Sequence, residues 1–582
     1  MCLFFLINSI YNINFRLIGS GDTIPASILP FVILENNNLY LDGFYEYFVN
    51  ENYVIYFLTL AKSHYLSAYP IVTPVLITPL YVIPYLLLKL NHIPLDLSNP
   101  VFNIIVSIME KFAASFVTAT AGIFVYLSLK ELIQRRIALI GAIVFAFATD
   151  TWTISSQGLW QHGLVELLLS MSIYIIVVEE KTRSYKHIMI LGILSGLFVF
   201  NRPADIILLT PILYYVLNLR DRSIAYYLGS MVLSGGLFLF YNVHYFGNIF
   251  GGYTILMQGF RIDPKNLISF AGLLISPSRG IFIYSPVLIF SILGYMKSQK
   301  IKNNNLKKFF LFFGIAILPQ TLIYSCFNVW WAGWSYGPRF LTGILPALII
   351  FLGLYMNDVH INIRRRRRRR NMFIITIFSI LLIWSIFAQI VGAFYYPNGN
   401  WDGNPNVDQN PEKLWDLNDT QIKRSFDAGI ILPHNLLDRL PFIMPLIGSK
   451  ESVALCTHDG QYLFVDYQRG SEVFANRKIN DIKDAFYLID LGDNNIALQA
   501  HNGHYICAEY GGGRELVANR NNIGLWETFR IEYLGNNSIA LRAYNGRYVS
   551  AEREGTVVSN STSIGLRETF TLTRVCKNFV CV

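Results

Sequence analysis

Two patterns of apolar and polar residues divide the chain. Up to about residue 395, long apolar runs alternate with short polar ones; beyond it, short runs alternate residue by residue. The apolar runs fall at roughly 2–14, 113–132, 137–152, 162–179, 186–201, 203–219, 224–245, 281–297, 308–330, 340–356 and 372–394. About 20 apolar residues cross a bilayer as a helix. The pattern therefore predicts a polytopic α-helical membrane domain over 1–395, with about 11–13 transmembrane helices. The first run is short for a span and lacks a basic segment before it, so a cleaved signal peptide is disfavoured. Pro70–Leu90, "PIVTPVLITPLYVIPYLLLKL", holds four prolines, each lacking a backbone donor. It is expected to be kinked or re-entrant, or else a further span.

Residues 396–450 are rich in Asn, Pro and Asp and read as a connector. A threefold repeat follows over 451–575, leaving a tail at 576–582. Leu455, Leu498 and Leu541 are 43 residues apart, as are Gly460, Gly503 and Gly546, and Tyr462, Tyr505 and Tyr548. Asp-Gly or Asn-Gly marks a hairpin turn in each unit, and each unit closes near Phe486, Phe529 or Phe570. One such unit cannot bury its own apolar face, whereas three share a core. An all-β C-terminal β-trefoil is predicted, with the Tyr, Ile and Phe repeats in its core.

Composition agrees with the membrane assignment: 53% of residues are hydrophobic and 15% charged, against about 25% charged in soluble domains. The net charge of +9 comes mostly from seven consecutive arginines, Arg364–Arg370. A run between two apolar segments is a topology signal, so a nucleic-acid partner is disfavoured. Basic clusters at 130–136, 179–187, 220–222, 297–308 and 364–370 all fall on one side of the predicted spans, which is then the cytoplasm. The opposite side receives the first loop (about 15–70), the motifs "SSQGLWQHG", "FNRPAD" and "WWAGWSYGPR", and everything after 395. The expected location is a multi-pass protein of the cell membrane with its trefoil on the extracytoplasmic side. The six cysteines form no Cys-x-x-Cys pair, which disfavours zinc. Cys576 and Cys581 are spaced to close a small loop, but two free thiols are the simpler expectation.

Ionisable residues near lipid are costly and mark working sites. On the extracytoplasmic side these are Asp22, Asp42, Glu46, His64, His162, Arg202, Arg279 and Arg339, with Trp160 and Tyr336 among the aromatic residues close in sequence to the basic ones. Arginine forks suit phosphate, aromatic faces suit sugars, and a carboxylate accepts a proton from an attacking hydroxyl. The combination predicts group transfer from a phosphate-bearing lipid. Each residue also has a plain role: Trp and Tyr as an interfacial belt, Arg snorkelling to headgroups, His162 at a helix start, Asp22 in a turn.

"SGDTIPASILPF", "YPIVTP", "WQHG", "NRPAD", "SPSRGIFIYSPV" and "WWAGWSYGPRFL" resemble the motifs of GT-C membrane glycosyltransferases, in layout like protein mannosyltransferases and aminoarabinose transferases, over about residues 1–400. The resemblance implies an inverting transfer of a sugar from a polyprenyl-phosphate donor to a hydroxyl of a protein or glycan acceptor. By this resemblance Asp22 matches the position of the family's catalytic acidic residue and is expected to be the general base for the acceptor hydroxyl, with Asp42 as the alternate because the usual acidic pair is missing. Arg202, Arg279 and Arg339 are the expected pool of phosphate ligands, His162, Trp160 and Tyr336 are expected to complete the substrate site, and Pro70–Leu90 is expected to wall a lipid groove. No cofactor is implied, and a divalent metal is not favoured. The repeat, with "VANRNNIGLWETF" and "ALRAYNGRYVSAE", resembles fascin-like β-trefoils, which implies a carbohydrate ligand or a structural cap. The competing functions are a lipid-linked-sugar flippase, which should show repeated halves absent from 1–395, and a non-catalytic anchor displaying the trefoil.

Overall fold

The computed structural model describes residues 2–51, 53–219, 222–256, 259–363, 368–431, 451–467, 469–477, 485–492, 494–535, 538–576 and 579–581. The chain divides into two compact units, residues 1–82 with 106–433, and residues 83–105 with 434–582.

The first unit is helical. Among the described residues, seven helices are long and apolar enough to cross a membrane: Val72–Leu90, Pro100–Leu132, Gln161–Thr182, Ser223–Phe246, Asn304–Ser325, Arg339–Ile361 and Arg369–Phe394. Several predicted spans are shorter helices, among them Cys2–Asn12, Tyr185–Asn201 and Pro203–Leu217. The run predicted at 137–152 is a 13-residue helix, Arg135–Phe147, followed by the wide turn Thr151–Ser155. Most of Arg364–Arg370 lies outside the described residues.

The proline-rich segment is one continuous helix, Val72–Leu90, rather than a re-entrant element. Pro74 falls in its first turn, where an N–H has no acceptor in any case. Tyr185–Asn201 and Ser223–Phe246 pack closely through small residues. A Cβ added at Gly192 or Gly196 would collide with the backbone at Tyr227 or Met231. Ser223–Phe246 leaves Val232, Leu233, Leu237 and Phe240 at least 70% exposed. An apolar surface of that size is the kind that contacts lipid or another apolar partner.

The segment expected as the first loop is folded. It contains the helices Ile24–Asn36 and Asp42–Asn50 and a hairpin, β1 (Leu58–Ala61) with β2 (His64–Ser67). The expected connector is ordered up to residue 431, with helical turns at Pro411–Trp415 and Gln421–Asp427. Its remainder, 432–450, lies outside the described residues.

The β unit has three sets of four strands: β3 (Glu451–Thr457), β4 (Tyr462–Asp466), β5 (Glu472–Arg477), β6 (Phe486–Gly492); β7 (Asn495–Gln499), β8 (Tyr505–Ala508), β9 (Leu516–Arg520), β10 (Phe529–Gly535); and β11 (Ser538–Arg542), β12 (Tyr548–Ala551), β13 (Val557–Ser561), β14 (Phe570–Cys576). The first and fourth strands of each set pair in a closed ring, β3–β6–β7–β10–β11–β14 and back to β3. The middle strands form the hairpins β4–β5, β8–β9 and β12–β13. A ring with three hairpins is a trefoil-like arrangement. Each hairpin has a register break beside its repeat tyrosine, at Tyr462, Tyr505 or Tyr548. The turn glycines share φ values of +77 to +86°, which only glycine adopts without strain. Leu455, Leu498, Leu541, Phe486, Phe529 and Phe570 form the core. Of the three repeat tyrosines only Tyr505 is fully buried, so that series is core at one position of three. The expected tail contains a strand, β15 (Phe579–Cys581), paired with β14. The Cys576 and Cys581 side chains lie outside the described residues.

Candidate functional site

Asp22 is held by a short, well-capped turn. Gly21–Thr23 forms one helical turn whose Ser20 Oγ accepts the Asp22 N–H at 3.2 Å, and Pro25 then starts the helix Ile24–Asn36. The β1–β2 hairpin brings Tyr56 and Tyr69 together from its two ends, the Ala68 N–H donating to the Phe57 carbonyl at 2.9 Å. Both phenols donate to Asp22 Oδ1, Tyr69 at 2.7 Å and Tyr56 at 2.9 Å. Burial, and then the Asp22 charge, push both phenols well above the ordinary tyrosine range, so they remain donors. Arg339 Nη1 reaches Asp22 Oδ2 at 2.9 Å. Its Nη2 donates to the Ala332 carbonyl at 2.7 Å, its guanidinium lies 4.4 Å from the Trp160 ring centre, and its Nε is buried without a partner.

Arg202 ends the helix Tyr185–Asn201 and is 3% exposed. Its Nη1 lies 2.6 Å from His162 Nε2, and its Nε is 3.3 Å from Asp205 Oδ2. The guanidinium packs over Tyr324 and Phe340, 5.3 and 5.8 Å from the ring centres. His162 Nδ1 lies 2.7 Å from Thr342 Oγ1. Tyr324 Oη and Gln320 Nε2 donate to Asp205 Oδ1.

Asp22, Arg202 and Arg339 line one cavity of about 400 Å³, with His162, Trp160 and Tyr253 among its other walls; Asp205, Gln320 and Thr342 do not line it. It joins one exposed-edge carboxylate, two guanidinium groups and several aromatic faces. That set can hold a phosphate beside a hydroxyl-bearing ring and accept a proton from it. A second groove, of about 680 Å³, is walled by Ile33, Leu39, Tyr40, Val75, Pro79 and Tyr245 among others.

Of the residues singled out from sequence, Asp22, Arg202, Arg339, His162 and Trp160 meet in the cavity. Arg279, Tyr336 and Asp42 do not line it. Arg279 is fully buried and donates to the carbonyls of Trp331 (3.0 Å), Ser278 (2.8 Å) and Gly333 (3.2 Å), to Gln421 Oε1 (2.8 Å) and to Asp402 Oδ1 (2.7 Å). All of its N–H groups are thus committed to protein acceptors. Tyr336 is buried and donates to the Ala388 carbonyl at 2.6 Å. Asp42 accepts from the Tyr65 N–H at 2.6 Å and pairs with His64 Nδ1 at 2.7 Å.

Sequence reasoning missed Tyr56, Tyr69, Tyr253 and Tyr324. The signal available was the tyrosine density of the first loop, where Tyr40, Tyr45, Tyr47, Tyr53, Tyr56, Tyr65 and Tyr69 crowd thirty residues. Among the described residues, no group of three or more His, Cys, Asp or Glu side chains is arranged to hold a metal.

A family profile described as a domain of unknown function, DUF7910, matches residues 491–582, within the β unit. No curated protein matches the chain. Among solved structures, the chain is similar to a designed 3-fold symmetric protein, ThreeFoil, at 23% identity and a TM-score of 0.20, over 21% of this chain and 96% of that one.

Proposed function

We propose that this chain is an integral-membrane glycosyltransferase that moves a sugar from a polyprenyl-phosphate donor to an acceptor hydroxyl on the extracytoplasmic face, with inversion. The observation that carries this reading is the single cavity in which one carboxylate, Asp22, faces two arginines, Arg202 and Arg339, between aromatic walls. A volume of about 400 Å³ suits a sugar with its phosphate. In the ligand-free molecule Arg339 neutralises Asp22. A donor phosphate draws Arg339 away and frees Oδ2. The acceptor hydroxyl then gives its proton to Asp22 as its oxygen bonds to the anomeric carbon. The bond from that carbon to the phosphate oxygen breaks, and polyprenyl phosphate leaves with the electron pair. Arg339 and Arg202 stabilise the charge gathering on the leaving phosphate in a site of low dielectric. Tyr56 and Tyr69 keep hold of Oδ1 throughout. The groove beside Val75 and Pro79 offers an apolar path for the polyprenyl chain.

The seven long apolar helices support a membrane location, and the basic clusters support placement of the cavity and the trefoil on the extracytoplasmic face. The trefoil is an accessory glycan-binding module in this reading. A cavity of about 300 Å³ lined by His458, Asp459, Asn476, Glu552 and Arg567 supports it, since paired donors and acceptors are what sugar hydroxyls require.

The test is sugar transfer in membranes carrying wild type or Asp22→Asn, with a panel of polyprenyl-phosphate sugars. The expected result is release of polyprenyl phosphate by wild type and a loss of about 10²–10⁴-fold in the variant, with donor binding retained. Equal release by both excludes Asp22 as base. Movement of the donor across the bilayer without cleavage would mean a flippase.

A further inference from the structure

We propose that residues 395–431 form a strap that sets the geometry of the Asp22–Arg339 cavity, with Gln421 and Asp408 as its positioning residues. The strap starts where the helix Arg368–Phe394 ends and returns to the same point, the Ile431 N–H donating to the Phe394 carbonyl at 2.9 Å. Between those ends it bonds the segment that leads to Asp22 and the loop that carries Arg339.

On the Asp22 side, Arg16 Nη2 donates to the Tyr396 carbonyl at 2.9 Å, and its Nη1 to that of Phe394 at 3.3 Å. Asn14 Nδ2 donates to the Ala393 carbonyl at 2.8 Å. Arg16 stands six residues before Asp22; its bond to Tyr396 is to the strap, and the bonds to Ala393 and Phe394 are to the end of the helix that leads into it.

On the Arg339 side, Gln421 enters the backbone of the "SYGPR" turn. Its Oε1 accepts the Gly337 N–H at 3.0 Å, together with Tyr284 Oη and Arg279 Nη1. Its Nε2 donates to the Ser335 carbonyl at 3.0 Å and lies 3.2 Å from Asp402 Oδ2. Gln421 is fully buried, so every one of these bonds is made away from water. Gly337 has φ +66° and stands two residues before Arg339. Within the turn the Arg339 N–H donates to the Gly337 carbonyl at 3.0 Å, and Gln421 adds the bonds to the Gly337 N–H and the Ser335 carbonyl. The backbone that leads into Arg339 is therefore held by a residue 82 positions away.

Asp408 holds the other end of the same loop. Its two oxygens accept the indole N–H groups of Trp331 and Trp334, at 2.9 and 3.1 Å. Between those tryptophans lie Ala332 and Gly333, which line the cavity, and the Ala332 carbonyl accepts from Arg339. One strap thus pins Ser335, Gly337, Trp331 and Trp334, all within eight residues of Arg339. The Arg279–Asp402 pair anchors the strap beneath them.

The binding and kinetic parts of the test rest on the transferase reading; the exchange part does not. Full-length wild type, Gln421→Met, Asp408→Ala and Asp408→Asn are compared for backbone hydrogen exchange over 328–340, for undecaprenyl phosphate binding, and for kcat and KM. Asp408 is exposed, so its variants keep the fold even if Gln421→Met does not. The expected result for Asp408→Ala is exchange about tenfold faster in 328–340, with the helix Gln161–Thr182 unchanged, and undecaprenyl phosphate binding and KM weakened about tenfold with kcat nearly kept. Asp408→Asn, which keeps one acceptor oxygen, falls between. Faster exchange in 328–340 with no binding of the probe by wild type keeps the strap and removes the transferase reading. Unchanged exchange in 328–340 for Asp408→Ala overturns the proposal.

Discussion

The helical unit and the β unit use their repeated residue types in opposite ways. In the β unit, Leu455, Leu498 and Leu541 are interchangeable: same spacing, same burial, same place in one core. In the helical unit, three arginines set in similar motifs have three different tasks. Arg339 faces a carboxylate at the cavity edge, Arg202 lies flat on two aromatic rings beside a histidine, and Arg279 is spent on backbone carbonyls, Gln421 and Asp402. A repeat lets position dictate the role, because each copy meets the same neighbours. An arginine at a helix end acquires its role from whatever chain segment happens to reach it. That partner is contributed from far away in sequence.

This contrast can be sharpened or broken experimentally. The largest effect should come from Arg279→Gln. It leaves Asp402 buried without its cation and strands several carbonyls, and should cost about 3–5 kcal/mol. Thermal unfolding in detergent would register it as loss of folded helical unit; a variant that is normally stable but cannot bind donor would make Arg279 a ligand after all. Next comes Leu498→Ala in the full chain, expected to destabilise the β unit by about 2–5 kcal/mol without affecting sugar transfer. Equal costs for Leu455→Ala and Leu541→Ala would confirm equivalence among the copies, and a wide spread would break it. A smaller effect is expected from Asp42→Asn, whose pair with His64 is about two-fifths exposed and so worth under about 1 kcal/mol; transfer should stay within about threefold of wild type, and a loss like that of Asp22→Asn would reverse the two residues' roles. The smallest concerns Cys507, fully buried, whose thiol is pushed up to about 12, chiefly by burial. It stays protonated at pH 8 and should resist maleimide in the folded chain while exposed Cys2 reacts; equal labelling would show that the β unit opens readily.

What could be read from sequence follows the same division. The threefold repeat was legible down to its turn glycines, because φ near +80° selects glycine and a 43-residue period is hard to produce otherwise. Asp22, Arg202, Arg339, His162 and Trp160 were legible as a set, since charge beside long apolar runs is costly unless it faces a cavity. That Arg279 does not line the cavity has a physical cause. "SPSRG" looks like "YGPR" in composition, and only the arrival of Gln421 and Asp402 separates a spent arginine from an available one. Tyr56 and Tyr69 were hidden because an unremarked hairpin brings them together. The connector was read as a loop on its Asn, Pro and Asp content. That content is also what a strap rich in turns and backbone hydrogen bonds requires.

The position of Gln421 in the chain has a consequence for biosynthesis. Asp22 leaves the ribosome early, but the turn before Arg339 lacks its buried partner until residue 421 has been made. At ordinary elongation rates that interval is on the order of ten seconds. During it Arg279 has the carbonyls of Ser278, Trp331 and Gly333 but not yet Gln421. A nascent chain stopped before the strap would therefore hold every lining residue of the cavity and still lack the buried bonds that Gln421 makes beside Arg339.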